Sequence, residues 1–169
     1  DLVRSRGLGD VYKRQDLVRG LARLVGLETI NVPGATGYLD TNYEGKAAAA
    51  VEGLAERDFI LVHLEATDEA GHSGDAEIKV KAAEEFDKRM LGVLLDRLGA
   101  VGAYRLLLVP DHATPLEVRT HVSDAVPFVI YDSGGGTGGG FDLFSEEICE
   151  QQNVPHVEGW ELMGMLMRS

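Results

Sequence analysis

Apolar residues recur along the chain with two alternating periods, one typical of helices and one of strands. Residues 16–27 place leucines and a valine on one helical face, and residues 44–56 have high helix propensity. A third helix is predicted over 76–98, where apolar positions recur at spacings of three and four and Asp75 can cap the start. Two closing helices are predicted at 141–151 and 158–168.

Short aliphatic runs between these helices are typical of strands. The run at 59–66 is nearly continuous, as expected of a strand that is covered on both faces. Further strands are predicted at 28–32, 104–110 and 126–131. Because strands and helices alternate, the pattern predicts an α/β layer fold with a largely parallel sheet.

Two glycine-rich stretches separate the predicted elements. The sequence SGGGTGGG at 133–140 is predicted to be a flexible linker, and GATG at 34–37 to be a turn. Neither stretch has the spacing and the lysine of a phosphate-binding loop. Both are therefore assigned to connections rather than to a nucleotide site.

The first fifteen residues do not follow the alternating pattern. They show no apolar period, and their opening tetrapeptide DLVR appears again at 16–19, where it starts a predicted helix. We predict that residues 1–15 are a tail foreign to the fold, an expression or sequence-assembly remnant, with a native extension as the alternative. Residues 16–169 are then expected to form one folded unit.

Composition narrows the classes of function. The chain of 169 residues is 44% hydrophobic and 26% charged, which is typical of a globular protein. Its net charge of −12 argues against nucleic acid and anionic membranes as partners, although bound cations would still allow a phosphorylated substrate. The single cysteine, Cys149, excludes an internal disulfide, so a reducing cytoplasm is the expected location. The oligomeric state is not readable from the sequence.

Acidic and imidazole side chains cluster at the ends of the predicted strands. In open α/β sheets ligands bind beyond the carboxyl ends of the strands, and aspartate and neutral histidine are common ligands of divalent cations. Each residue alone has an ordinary interpretation as a solvated or structural side chain, but together they predict a metal site. The candidates are Asp68 and His72 after strand 59–66, Asp111 and His112 after strand 104–110, and His121 before strand 126–131.

This grouping constrains the topology. If His121 is to share an ion with Asp68 and His72, the loop 113–125 must stay at one edge of the sheet. Strand 126–131 would then start from that edge and run antiparallel to the others.

Three stretches resemble a known enzyme family when they are taken in succession. They read VPGATGYLDTNYEGK, VHLEATDEAGHSGD and VPDHATPLEVRTHVSDAVPF. They are similar to the 2,3-bisphosphoglycerate-independent phosphoglycerate mutases of the archaeal type, which belong to the alkaline phosphatase superfamily. The resemblance spans residues 16–169 and implies a three-layer α/β sandwich with a mostly parallel sheet and an antiparallel strand, here incomplete.

The resemblance also implies a chemistry. Members of the family are cytoplasmic enzymes of glycolysis and gluconeogenesis that hold two divalent cations, manganese, zinc or magnesium, and pass a phosphoryl group between hydroxyls of glycerate through a phosphoserine. By this resemblance one ion is bound by Asp68, His72 and His121. The second is bound by Asp111 and His112, completed by an aspartate and a serine near the family's N-terminus.

This sequence departs from the family in one respect. It has no counterpart of the segment that carries the first metal aspartate, the serine nucleophile and an inserted substrate domain. Ser73 and Ser123 lie near the predicted site, but neither stands where the nucleophile would be. We therefore expect the C-terminal portion of a mutase, inactive by itself. The alternatives are a phosphate or sulfate ester hydrolase of the same superfamily and a non-catalytic metal-binding domain.

Several further residues have two open interpretations. Arg119 could contact a substrate carboxylate or phosphate and Lys46 could supply a point charge, or each could form an ordinary ion pair. Glu65 and Glu69 could orient the ligating histidines or simply be solvated. His63 lies within a predicted strand and is expected to be a core histidine.

Overall fold

A computed structural model of the chain describes residues 9–135, 143–151 and 154–168. Two short strands and a π-helical segment, Phe86–Leu91, accompany its helices. The helices are α1 (Gly9–Leu24), α2 (Tyr43–Leu54), α3 (Ala66–Ser73), α4 (Ala76–Glu85), α5 (Gly92–Leu98) and α6 (Glu161–Met167). The strands are β1 (Arg105–Leu108) and β2 (Val129–Asp132), and a 3-10 turn covers Glu146–Ile148. Within these ranges no helix combines the length and the apolar character that crossing a membrane requires.

The core lies between α2 and the long helical stretch that runs from α4 to α5. Its centre is Tyr43, whose side chain is fully buried. Small residues on α2 leave room for this aromatic ring, which would otherwise clash with the facing helix. The remaining members of the buried cluster are Ala47, Ala50, Ala66, Ala82, Met90, Leu94 and Leu98.

An arginine on the π-helical segment ties it to the start of α2. The Arg89 guanidinium lies over the Tyr43 ring, 5.1 Å from its centroid. Its Nε and Nη2 donate to the two oxygens of Glu44 at 2.6 and 2.9 Å, and Nη1 donates to Glu85 at 2.8 Å. The hydrogen bonds from Arg89 lower the pKa of the Glu44 carboxyl. This bidentate contact with Glu44 covers the side of the core that faces solvent.

The long helix predicted over 76–98 is confirmed, with the π-helical segment in its middle. Ile78 N–H donates to the Asp75 carboxylate at 3.1 Å, so the predicted cap is also confirmed. The apolar residues Ala82, Phe86, Met90, Leu94 and Leu98 recur at a spacing of four along this stretch. Four residues overshoot one α-helical turn by about 40°, and the wider π turn offsets part of that drift. The spacing therefore keeps one continuous buried face.

The two strands form an antiparallel pair, as predicted for strand 126–131. Leu108 lies opposite Val129, and Arg105 lies opposite Asp132. Arg105 Nε donates to Asp132 at 2.7 Å, and this bond lowers the pKa of the Asp132 carboxyl. Because β1 and β2 run in opposite directions, β2 begins at the edge where β1 ends.

The parallel part of the predicted sheet is not formed by the described residues. Segments 28–32 and 59–65 have no regular secondary structure and enter no ladder within those ranges. Ile60, Val62 and Leu64 pack against the core, whereas Leu61 is 62% exposed, so the expected cover on both faces is wrong for the described part of the chain. A parallel strand is stable when neighbours pair with it and helices cover both of its faces, and 59–65 is covered on one face only.

The ends of the chain also differ from the predictions. Helix α1 begins at Gly9 rather than at 16, because residues 10–15 contain no proline or glycine to stop it. The origin of residues 1–15 stays a prediction. The helix predicted over 141–151 is reduced to the 3-10 turn in its described part, where no residue is buried. Within the predicted linker 133–140, residues 136–140 lie outside the described ranges.

Two further predictions are confirmed. GATG at 34–37 forms a turn, with Gly34 in the left-handed region at φ 75°. The last predicted helix is present as α6. In contrast, the apolar face of α1 is exposed, since Leu17, Leu21, Leu24 and Val25 are between 54% and 84% accessible.

The buried Tyr43 hydroxyl has no hydrogen-bond partner among the described residues. We therefore expect Tyr43→Phe to leave the free energy of unfolding unchanged or to raise it, because no bond is lost and a polar group leaves the core. Tyr43→Ala should lower it by about 3–5 kcal/mol, since it opens a cavity. Urea unfolding followed by circular dichroism measures both, with the exposed Tyr38→Phe as the control. A loss of more than about 1 kcal/mol in Tyr43→Phe would contradict this account.

Candidate metal centre

Most of the acidic stretch 65–75 forms a two-turn helix, for which the sequence analysis predicted no element. Helix α3 follows segment 59–65 directly and ends at Gly74, which is left-handed at φ 71°. Asp68 and His72 are four residues apart, so they share one helical face, and Asp68 Oδ2 lies 3.3 Å from His72 Nε2. The D-x-x-x-H spacing was visible in the sequence and could have predicted this helix.

The segment after β1 folds back on itself and brings two histidines together. Val122 N–H donates to the Ala113 carbonyl at 3.1 Å, which makes an isolated antiparallel bridge. The loop closed by this bridge places His121 beside His112, with the two rings stacked at a centroid distance of 3.7 Å. The condition that His121 returns to the same edge as Asp68 is thus met by one short bridge.

This loop docks on α3 through Thr114. The Thr114 hydroxyl donates to Asp68 Oδ1 at 2.5 Å, and its carbonyl accepts from Lys79 Nζ at 2.6 Å. A Cβ added to Gly71 would lie 2.5 Å from the Thr114 carbonyl oxygen, so a side chain at this position would push the loop away. Gly71 therefore allows the close approach that positions Asp68 against the loop.

Three predicted ligands converge on one point. His121 Nε2 lies 3.4 Å from Asp68 Oδ1 and 3.1 Å from His72 Nε2. Nitrogen and oxygen ligands about 2.0–2.1 Å from a tetrahedral zinc ion are separated by about 3.3–3.4 Å. The three side chains thus have the spacing that a shared divalent cation requires. That they bind one stays a prediction.

His112 lies in the same group, although the family resemblance assigned it to a second ion. Ligand atoms of Asp68, His112 and His121 all lie within 4.8 Å of one another. Asp111, predicted to share a second ion with His112, is 75% exposed, and its Oδ2 lies 3.4 Å from His112 Nε2. The five predicted ligands therefore lie in one continuous cluster, and their division between two neighbouring ions stays a prediction.

The hydrogen bonds around the cluster determine which ring nitrogens carry protons. His72 Nδ1 lies 3.0 Å from the Arg119 carbonyl, which can only accept, so this nitrogen is the donor. The Thr114 hydroxyl gives its proton to Asp68, so it accepts from His112 Nδ1 at 3.3 Å. These two bonds leave Nε2 of each ring facing an aspartate, at 3.3 Å in His72 and 3.4 Å in His112, which is the side from which a cation could be bound.

The side chains of the two predicted substrate groups make contacts of their own. A Cβ added to Gly74 would fall on Arg119, with the guanidinium carbon 2.7 Å away, so the Arg119 side chain covers Gly74. Lys46 Nζ donates to the His63 carbonyl at 2.8 Å and lines a cleft of about 610 Å³ between segments 26–32 and 56–65. Their roles in binding substrate stay predictions.

Burial governs the titration of the groups in this cleft. Burial lowers the pKa of the Lys46 ammonium, and the negative charge of Glu65 offsets part of this effect. It also lowers the pKa of the His63 imidazole, against the charge of Asp111. The His63 side chain is 34% exposed, so it is half-buried rather than in the core as expected. Glu65 is buried at the start of α3, 4.0 Å from His63 Nδ1.

Ser73 has a structural partner. Its hydroxyl donates to the Ala70 carbonyl at 2.7 Å and accepts from the Asp75 N–H at 3.2 Å. These bonds link the end of α3 to the start of α4. The proton of the Ser73 hydroxyl is donated to the Ala70 carbonyl.

Sequence reasoning missed the residues that hold the ligands in place. Thr114, Gly71 and Gly74 carry no metal-binding chemistry of their own, and they act through a hydroxyl, a missing side chain and a left-handed turn. The available signal was their position within the stretches DEAGHSG and DHAT.

Comparison with known proteins agrees with this geometry. The family model of the metalloenzyme superfamily matches residues 6–169. The chain is 45% identical over 161 residues to the 2,3-bisphosphoglycerate-independent phosphoglycerate mutase of Methanosarcina acetivorans. This match covers 95% of this chain and 41% of that protein. It is 43% identical to the probable 2,3-bisphosphoglycerate-independent phosphoglycerate mutase of Geobacter sulfurreducens, covering 94% of this chain and 40% of that protein.

A solved structure shares the fold. The PH0037 protein from Pyrococcus horikoshii superimposes with a TM-score of 0.64 at 38% identity, covering 70% of this chain and 35% of that one. The chain spans about two fifths of the length of the curated relatives it matches.

The Thr114 hydroxyl contacts both Asp68 and His112, so removing it should weaken the binding of a cation. We expect Thr114→Val to lower the affinity for Zn²⁺ about 10- to 100-fold, because two ligands lose their orienting partner. Thr114→Ser keeps the hydroxyl and is the matched control, expected to bind as the unchanged protein does. Isothermal titration calorimetry measures all three. Equal affinities for the valine and serine variants would show that the hydroxyl does not orient the ligands.

Proposed function

The chain belongs to the metalloenzyme superfamily, and we propose that it is the metal-binding part of a 2,3-bisphosphoglycerate-independent phosphoglycerate mutase. Such an enzyme is an isomerase that interconverts 3-phosphoglycerate and 2-phosphoglycerate. The names of the relatives from Methanosarcina acetivorans and Geobacter sulfurreducens support this proposal. On this proposal the protein acts in glycolysis and gluconeogenesis in the cytoplasm.

One observation carries the proposal. Asp68, His72 and His121 come from separated parts of the sequence, yet their ligand atoms lie 3.1–3.4 Å apart. All three belong to the stretches that resemble the mutase family. Three donor atoms this close together are within reach of one shared cation.

We assign the ligands as follows. Asp68, His72 and His121 hold one divalent cation, and Asp111 and His112 contribute to a second. A nitrogen and oxygen donor set of this kind accepts Zn²⁺ or Mn²⁺, and Mg²⁺ with more retained water. When bound, these ions neutralise phosphate oxygens and lower the pKa of a hydroxyl nucleophile.

The other residues act on the substrate. In the proposed reaction a serine hydroxyl takes the phosphoryl group from one hydroxyl of glycerate and returns it to the other. Ser73 is engaged with the Ala70 carbonyl, so the nucleophile is proposed to come from outside this chain. Arg119 and Lys46 are proposed to bind the carboxylate or the phosphate of the substrate.

The ligand assignment predicts a specific loss of cation binding. The unchanged chain should bind about one divalent ion tightly by isothermal titration calorimetry with Zn²⁺ or Mn²⁺. Asp68→Ala or His121→Ala should abolish that binding, because each removes one of three converging ligands. Matched controls are the exposed Asp124→Ala and His156→Ala, which remove the same side chains outside the cluster. Unchanged affinity in both test variants would refute the assignment.

The proposed reaction predicts activity only when the missing part is supplied. The chain alone should convert no 3-phosphoglycerate. A chimera in which this chain replaces the matching 41% of the Methanosarcina acetivorans protein should convert it to 2-phosphoglycerate, as followed by phosphorus NMR. The same chimera with Asp68→Ala is the control and should be inactive. Release of free phosphate instead would favour a hydrolase, and a folded, metal-loaded but inert chimera would favour a non-catalytic domain.

A further inference from the structure

We infer that the backbone of Arg119 is a positioning element for His72. The inference rests on the proposed metal-binding role of His72 and deepens it. It assigns a function to the main chain at a position whose side chain alone was considered in the sequence.

The first step is the bond between the two residues. His72 Nδ1 lies 3.0 Å from the Arg119 carbonyl oxygen, and a carbonyl only accepts hydrogen bonds. The proton of the neutral ring therefore resides on Nδ1. That leaves the Nε2 lone pair facing Asp68 Oδ2 at 3.3 Å and His121 Nε2 at 3.1 Å, where a ligand must point.

The second step is the conformation that places this carbonyl. Arg119 has φ 56°, and within the described ranges no other residue except glycine has a positive φ. Its N–H donates to the Pro115 carbonyl at 2.8 Å, so residues 115–119 make one closed turn that ends in a left-handed residue. Such an ending reverses the chain and turns the last carbonyl away from the turn. Here it turns toward α3.

The third step is the surface that receives the turn. Gly74 ends α3 with φ 71°, two residues after His72. A Cβ at Gly74 would overlap the Arg119 side chain, whose Cζ would be only 2.7 Å away. The absence of a side chain at Gly74 thus leaves room for the Arg119 guanidinium beside the end of α3. The left-handed conformation of Gly74 ends α3 just after His72, so a strained residue there would shift the His72 ring relative to the carbonyl.

A backbone role makes a prediction that a side-chain role does not. Arg119→Gly removes the guanidinium but adopts positive φ readily, so the carbonyl stays in place. Arg119→Val disfavours positive φ because its side chain is β-branched, so the turn should open. Gly74→Ala adds both the strain and the clash, and Gly26→Ala is its control, since Gly26 has φ 85° with open space around it.

Two measurements decide the matter. Nitrogen-15 NMR of the metal-free protein at a pH of about 9, where histidines are ordinarily neutral, reports which nitrogen of His72 carries the proton. Calorimetry with Zn²⁺ reports the affinity. The unchanged protein, Arg119→Gly and Gly26→Ala should keep the proton on Nδ1 and bind with equal affinity. Arg119→Val and Gly74→Ala should show a mixture of tautomers and about 10- to 100-fold weaker binding.

Either of two results would overturn the inference. The first is that Arg119→Val and Gly74→Ala both keep the His72 tautomer and the Zn²⁺ affinity of the unchanged protein. The other is a loss in Arg119→Gly equal to that in Arg119→Val, which would assign the effect to the guanidinium. If the unchanged protein bound no cation, the proposed function would fail, while the NMR comparison would still test the backbone contact.

Discussion

The candidate centre depends on one contact, the docking of the loop after β1 against helix α3. Thr114 reaches across 46 residues of sequence to donate its hydroxyl proton to Asp68. That approach is possible because Gly71 presents bare backbone to the Thr114 carbonyl. An eight-residue helix is too short to be stable alone, so α3 owes its form to what packs on it. The bond also involves a charged acceptor, which makes it stronger than a neutral hydrogen bond.

Features that depend on neighbouring residues could be predicted from the sequence. The Asp75 cap and the helical stretch over 76–98 are local patterns, and the structure has both. The direction of β2 followed from a single requirement on the loop before it. The sheet was different, because a strand such as 59–65 needs partners that its own sequence does not specify. Helix α3 was missed because its charges and glycines suggest a loop more strongly than a helix.

The chemistry of the site divides in the same way. The types of the ligands and their rough grouping were readable, since aspartate and histidine at strand ends indicate metal binding. The choice of nitrogen on each ring was not readable. It depends on a hydroxyl at Thr114 and on a carbonyl at Arg119, and the second is set by a backbone angle. Hydrogen-bond partners of this kind become visible only when three-dimensional neighbours are known.

Helix α1 has a consequence of its own. Its leucines at 17, 21 and 24 face water, with Leu24 84% exposed. Apolar surface gains about 25 cal/mol per Å² when it leaves water, so any matching groove is a better environment for this face than solvent. The state of the chain in solution is therefore a matter of mass action.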